Sequence, residues 1–175
     1  NVLGADISEL SAQVEQARNI VDDFWTARWP SRVVVVLPGE PRTMNALIGR
    51  PNAWRLPAVT SWESGRDGPV ARVTINPELF YSLPAVGRQI ILRHEITHLA
   101  QDALPARRAP LWLSEGLAEY VGYRGSGVPA EVIAGSALDR VREGSLPSAW
   151  PTDADFHYGL DNSERTLGYE YGWAA

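Results

Sequence analysis

The segment His94–His98, which reads His-Glu-Ile-Thr-His, constrains the fold of this chain more than any other segment. In a helix, residues four apart lie one above the other on the same face, so both imidazoles can reach one small ion. Glu95 is then about 100° round the helix from His94, beside such an ion and not on it. A general base that takes a proton from water at the ion has to be in that place. The motif therefore predicts a helix that carries a metal ion on one face.

The residues around the motif also predict a helix. Ser82 is a suitable N-cap and Pro84 suits the first turn, and an apolar surface for burial follows at Val86, Ile90, Ile91, Leu92 and Leu99. Without a metal, His94 and His98 would be core residues satisfied by hydrogen bonds. The chain has only three histidines, however, and two of them lie four apart with a glutamate directly after the first. This spacing favours the metal interpretation.

The best candidate for a third ligand is Glu115, which has Trp112, Leu113 and Leu117 as apolar neighbours. A carboxylate held among apolar groups costs several kcal/mol to bury as an ion unless it is paired, and Zn²⁺ is an effective partner. Glu119 lies one turn later on the same helical face, so one of the two acids can bind metal while the other accepts an N–H from a ligating imidazole. The alternative is that both acids are solvated on an exposed face.

Composition limits the classes of protein and ligand. A chain of 175 residues that is 45% hydrophobic suits one domain with a sizeable core. The net charge of −5 and the lack of a basic cluster argue against nucleic acid as a partner. Cysteine is absent, so a metal has to be held by His, Asp and Glu. The apolar runs are too short to span a membrane.

Hydrophobic patterns and turn signals predict an α+β protein with a small, mainly antiparallel sheet. We expect one domain over residues 1–175, with an N-terminal helix in 1–30, a sheet region in 31–80 and a helical region with the metal site in 81–175. The first helix is expected from a cap at Asp6 to the step Trp29-Pro30. The other predicted elements are a buried strand at 32–37, a short helix at 41–49, a hairpin of strands 58–63 and 69–76, and helices at 111–121, 129–142 and 162–175.

The chain resembles a known family at its two metal-site segments. His94-Glu95-Ile-Thr-His98 followed by Trp112-Leu-Ser-Glu115-Gly-Leu-Ala-Glu119-Tyr120 is similar to the gluzincin metallopeptidases, most closely to the bacterial peptidase-MA-like group related to the aminopeptidase N family. The resemblance implies a zincin-like, thermolysin-type domain whose mainly antiparallel or mixed sheet packs on helices. It also implies one Zn²⁺ per chain, with Glu115 as third ligand and Glu119 as the partner of a ligating histidine.

Two further roles follow from the resemblance. Leu167-Gly-Tyr169-Glu170-Tyr171-Gly172 is similar to the Tyr-x-Lys-Gly segment, which makes Tyr169 the donor to the oxyanion, although Tyr171 stands where the family has Lys. His157 and Tyr158 compete for that role. The strand before the active helix is the substrate-binding edge in this fold, so the resemblance implies backbone hydrogen bonds to a peptide from a set of four residues, Val73, Thr74, Ile75 and Asn76.

The expected function is zinc-dependent hydrolysis of a peptide bond in a peptide or protein substrate, with Glu95 as general base. The chain has no Gly-x-Met-Glu-Asn motif for gripping a substrate amino terminus, and it stops three residues after Gly172. These departures support an alternative, a zinc-binding module of this fold that binds or scaffolds proteins without turnover. The resemblance implies an extracytoplasmic or secreted bacterial protein, and the lack of cysteine is compatible with the cytoplasm as well.

Overall fold

The structure, a computed structural model, describes residues 7–29, 32–65, 68–103, 109–145, 148–156 and 162–175. It is α+β with a small sheet, as the sequence predicts; the sheet is mixed, and the chain is rich in helices. It contains two compact units, residues 1–104 and 105–175. The single catalytic domain over 1–175 stays a prediction. Among the described residues, no helix combines the length and the apolar character needed to cross a bilayer.

The first unit begins with helix α1, Ile7–Phe24, which buries Leu10, Ala17 and Val21. These apolar residues recur at helical spacing, so that one face packs against a later helix, α4 (Ala85–Asp102). The helix ends at Phe24, where the N–H of Trp25 closes the last turn on the carbonyl of Val21. The predicted end at the Trp29-Pro30 step is therefore wrong, and the predicted cap Asp6 lies outside the described residues.

The sheet has three strands in the order β1-β3-β2, where β1 is Val35–Val36, β2 is Ala58–Gly65 and β3 is Gly68–Ile75. The antiparallel hairpin of β2 and β3 confirms the predicted pair, with Thr60 opposite Val73. Strand β1 is parallel to β3, and only two residues of the predicted strand 32–37 join the sheet.

This order corrects the prediction of a substrate-binding edge at Val73, Thr74, Ile75 and Asn76. Strand β3 is the central strand, because Val73 and Thr74 have partners in β1 and in β2. Ile75 pairs with Ala58, and Asn76 donates its N–H to the carbonyl of Pro57. This stretch is therefore not a free edge, and the outer edges of the described sheet belong to β1 and β2.

A small cluster packs beside the hairpin. Helix α2, Thr43–Ile48, confirms the predicted short helix and ends at Gly49, whose φ of 71° is in the left-handed region that glycine adopts readily. Its Met44 is buried with Ala53 and Val59, and Ile48, Trp54 and Leu56 pack around them. This cluster supports the first residues of β2.

Two helices follow the hairpin where the sequence predicts one. Helix α3, Pro77–Ser82, begins at Asn76, whose side chain accepts the N–H groups of Glu78 and Leu79. Pro84 is then the N-cap of α4. The predicted cap Ser82 is wrong, because its hydroxyl donates back to the carbonyl of Leu79 and ends α3.

The second unit is helical over the part that the structure describes. It contains α5 (Leu111–Tyr123), α6 (Ala130–Ile133), α7 (Gly135–Arg142), a 3₁₀ turn at Asp153–Phe156 and α8 (Asn162–Ala174). The single helix predicted for 129–142 is wrong: Ala134, with φ −130° and ψ 38°, divides it into α6 and α7. Helix α5 packs on α8 at Gly116 and Gly172.

Candidate metal centre

The two motif histidines share one face of α4. Their Nε2 atoms lie 3.2 Å apart, and the rings meet edge to face with centroids 4.9 Å apart. Both side chains are half-buried, whereas Ile96 and Thr97 between them are buried in the core. The spacing of four residues therefore brings two imidazole nitrogens to one point, as the motif predicts.

Gln101 bears on which nitrogen of His98 carries the proton. Its Oε1 lies 2.9 Å from His98 Nδ1. An amide oxygen only accepts hydrogen bonds, so in this contact Nδ1 carries the proton and Nε2 keeps its lone pair toward His94. The sequence prediction did not include Gln101, although its place three residues after His98 on the same helix was a signal for such a partner.

Glu115 is the third member of the group. One ligand atom each from His94, His98 and Glu115 can be chosen so that all three lie within 4.8 Å of one another, and all three residues are half-buried. This is the one cluster of at least three His, Cys, Asp or Glu side chains among the described residues that could hold a metal ion. The predicted ligand set is thus brought together.

The donor chemistry of this group fits a divalent cation. Two nitrogen ligands of a tetrahedral zinc ion at 2.0–2.1 Å are about 3.3 Å apart, close to the 3.2 Å between the two Nε2 atoms. Two lone pairs at that distance repel each other unless a proton or a cation lies between them. Two histidines and a glutamate form a typical catalytic zinc set, and imidazole also suits copper, iron and nickel.

Glu95 is hydrogen-bonded to strand β2. Its side chain is only 8% exposed, and its Oε2 accepts the backbone N–H of Thr60 at 2.7 Å. The hydroxyl of Thr60 donates in turn to the carbonyl oxygen of Glu95 at 2.8 Å. The sequence prediction missed Thr60, because a contact between residues 35 positions apart leaves no local signal.

Glu119 lies near Tyr123, one turn further along α5. Burial and, to a smaller extent, the negative charge of Glu119 raise the pKa of the Tyr123 phenol above its ordinary value. The predicted role of Glu119 as partner of a ligating histidine stays a prediction.

Tyr169 is half-buried on α8, where its ring meets Phe156 edge to face with centroids 5.0 Å apart. The next residue, Glu170, is buried and its Oε2 accepts the N–H of Ala137 in the first turn of α7 at 2.6 Å. The predicted role of Tyr169 as an oxyanion donor stays a prediction, and the competing His157 and Tyr158 lie outside the described residues.

In comparisons with known proteins, no family model, no curated protein and no solved structure matches the chain.

Proposed function

We propose that this chain is a zinc-dependent peptidase with a zincin-like fold, and that it hydrolyses peptide bonds in peptide or protein substrates. The observation that carries the proposal is the pair of Nε2 atoms 3.2 Å apart on α4, in one group with Glu115 and with Glu95 adjacent in sequence. The resemblance of the two segments that contain these residues to gluzincin metallopeptidases supports it.

His94, His98 and Glu115 are the residues that would hold the ion. A bound Zn²⁺ in such a site polarises a carbonyl group and makes water acidic enough to ionise near neutral pH. Gln101 would hold His98 in the tautomer whose proton is on Nδ1, so that Nε2 is the nitrogen that binds the ion. The partner proposed for the other ligating histidine is Glu119.

Glu95 acts as the general base. Its Oε2 is already engaged by the Thr60 N–H, which leaves Oε1 as the oxygen that takes a proton from the attacking water. The same carboxyl group then passes that proton to the leaving amine, so the residue ends the cycle ionised, as it began. Tyr169 is proposed to donate its phenol O–H to the oxygen that becomes negative when the carbonyl is attacked.

The experiment that tests the proposal compares wild-type protein with Glu95→Gln in a peptide-library assay, with zinc content measured on the same samples. Glu95→Gln keeps the shape of the side chain but removes the base, so turnover should fall by about 10²–10⁴-fold while bound zinc stays at one per chain. Glu40→Gln is the matched control, since Glu40 is an exposed acid remote in sequence from the motif, and its turnover should equal that of wild type.

Two outcomes would contradict the proposed peptidase function. Equal turnover in Glu95→Gln and wild type would remove Glu95 from the mechanism. One zinc per chain without cleavage of any library peptide would leave the alternative predicted from the sequence, a zinc-binding module that binds or scaffolds proteins.

A further inference from the structure

We infer that Thr60 is a positioning residue that holds the general base Glu95 through two hydrogen bonds from strand β2. The inference rests on the proposed function, since Glu95 is a base only if the chain is a hydrolase. It adds a residue that lies outside both metal-site segments and that the motif does not include.

Both hydrogen bonds join Thr60 to Glu95. One reaches the end of the Glu95 side chain, and the other reaches its main-chain carbonyl. Thr60 N–H donates to the carboxylate at 2.7 Å, and Thr60 O–H donates to the glutamate's main-chain carbonyl at 2.8 Å. The first bond is short, as is common when the acceptor is charged. The first fixes the carboxylate and the second fixes the helical turn that carries it, so the side chain of Glu95 cannot turn without breaking one of them.

The register of the sheet makes the N–H of Thr60 available. Val73, directly opposite Thr60, donates its own N–H to Val34 on the far side of β3. In an antiparallel pair, a residue whose partner's N–H points outward also has its own N–H pointing outward. The N–H of Thr60 therefore leaves the sheet at the outer edge of β2, where the carboxylate of Glu95 accepts it. A shift of one residue in the register would direct this N–H into the ladder instead.

The hydroxyl explains why a threonine suits this position. Its β-branched side chain has few rotamers, so Oγ1 stays close to the carbonyl that it contacts. Serine has the same donor, and valine has the same shape without it. Valine and serine therefore separate the hydrogen bond from the packing of the side chain.

The kinetic test uses Thr60→Val, Thr60→Ser and a matched control on the neighbouring strand. Loss of the hydroxyl should lower kcat by about 10–100-fold, because small displacements of a reacting group have effects of this size, and KM and zinc affinity should not change. Thr60→Ser should restore most of the kcat. The control is Thr74→Val, which removes a buried hydroxyl that has no hydrogen-bond partner among the described residues and should leave kcat unchanged.

A second measurement needs no activity. Hydrogen exchange of the Thr60 amide, followed by NMR in metal-free protein, should be slow in wild type and at least about tenfold faster in Glu95→Ala, because the N–H loses its acceptor. Exchange at the Val73 amide, which donates to the carbonyl of Val34, should stay the same in both proteins.

Unchanged exchange at Thr60 in Glu95→Ala would overturn the inference, and so would wild-type kcat in Thr60→Val. A fall in kcat that serine does not restore would also overturn it, since it would indicate packing and not the hydroxyl. If wild-type protein cleaves no peptide, the proposed function fails, and the exchange measurement still decides whether β2 holds the Glu95 carboxylate.

Discussion

Helices α4 and α5 both carry members of the candidate metal group, but they are held in place by opposite means. Helix α4 is fixed by side chains that are present: its apolar residues are buried, and Thr60 donates two hydrogen bonds to Glu95. Helix α5 packs closely on α8 because Gly116 and Gly172 have no side chains, so that the two backbones can come into contact there. The comparison shows that a site of this kind depends as much on close backbone contact as on the groups that perform chemistry.

The glycine contact leaves no room for a side chain at Gly116 and little at Gly172. A Cβ on Gly116 would lie 2.2 Å from the carbonyl oxygen of Gly172, far inside van der Waals contact. A Cβ on Gly172 would lie 3.1 Å from the Cα of Gly116 and from the carbonyl oxygen of Trp112. Glu115 directly precedes Gly116, so its place on α5 depends on this contact.

The largest effect on stability is therefore expected from Gly116→Ala. The new methyl group has to push α5 and α8 apart, which should lower the free energy of unfolding by about 3 kcal/mol or more, the upper end for an overpacked site. Chemical denaturation followed by circular dichroism measures this loss. Zinc binding should weaken in the same variant, because Glu115 moves with α5.

Gly87→Ala is the matched control for that variant. A Cβ on Gly87, in the first turn of α4, would meet its nearest atoms at an ordinary 3.5 Å. Alanine in a helix is about 0.5–1 kcal/mol more favourable than glycine, so this variant should be as stable as wild type or slightly more stable. Equal stability of Gly116→Ala and Gly87→Ala would contradict the contrast between the two helices.

A smaller loss is expected from Asn76→Ala, which tests the polar anchoring of the first unit. The buried amide accepts the N–H groups of Glu78 and Leu79 and donates to the carbonyl of Trp54 at 2.6 Å. Removing the cap and leaving that carbonyl without its donor should cost about 2 kcal/mol of unfolding free energy. Asn19→Ala, on the exposed side of α1, is the control and should cost nothing. Equal losses in the two variants would show that the amide does not anchor α3.

The smallest effect concerns Tyr123 on α5 and appears only at alkaline pH. Its pKa is raised in the folded state by burial and by Glu119, so folding favours the neutral phenol. The corresponding stabilisation is complete below the ordinary tyrosine pKa of about 10 and is lost as the pH rises through the folded pKa.

Absorbance of the phenolate during a pH titration measures this effect. Glu119→Gln should move the pKa of Tyr123 down toward its ordinary value, and Tyr123→Phe should remove the step and so identify it. A Tyr123 pKa that does not change in Glu119→Gln would show that the carboxylate does not act on the phenol.

The sequence predicted those parts of the molecule whose signals are local. The spacing of His94 and His98 requires only one helix, and the β2–β3 hairpin follows from two apolar runs around a turn. The grouping of Glu115 with the two histidines was predicted from residue type and from the resemblance, and the structure brings the three together.

The parts that were missed depend on contacts between distant residues. The two residues of β1 cover one side of β3, so the strand expected at the edge of the sheet is central. Thr60 meets Glu95 only because the register of β2 directs one N–H outward. From the sequence, Gly116 is only an unfavourable residue for a helix. Its role in allowing close backbone contact is visible only where α8 packs against it. Pairing partners and close backbone contacts of this kind are set by the tertiary fold, which no local pattern encodes.

The most direct test of the central claim is a zinc titration by calorimetry, with elemental analysis of the same samples, on wild-type, Glu115→Ala and Glu119→Ala proteins. We expect one zinc per wild-type chain, an affinity about 10–100-fold lower in Glu119→Ala, and a much greater loss in Glu115→Ala, which removes a ligand. Zinc that binds equally well without the Glu115 carboxylate, or no zinc bound to the wild-type chain at all, would contradict the account.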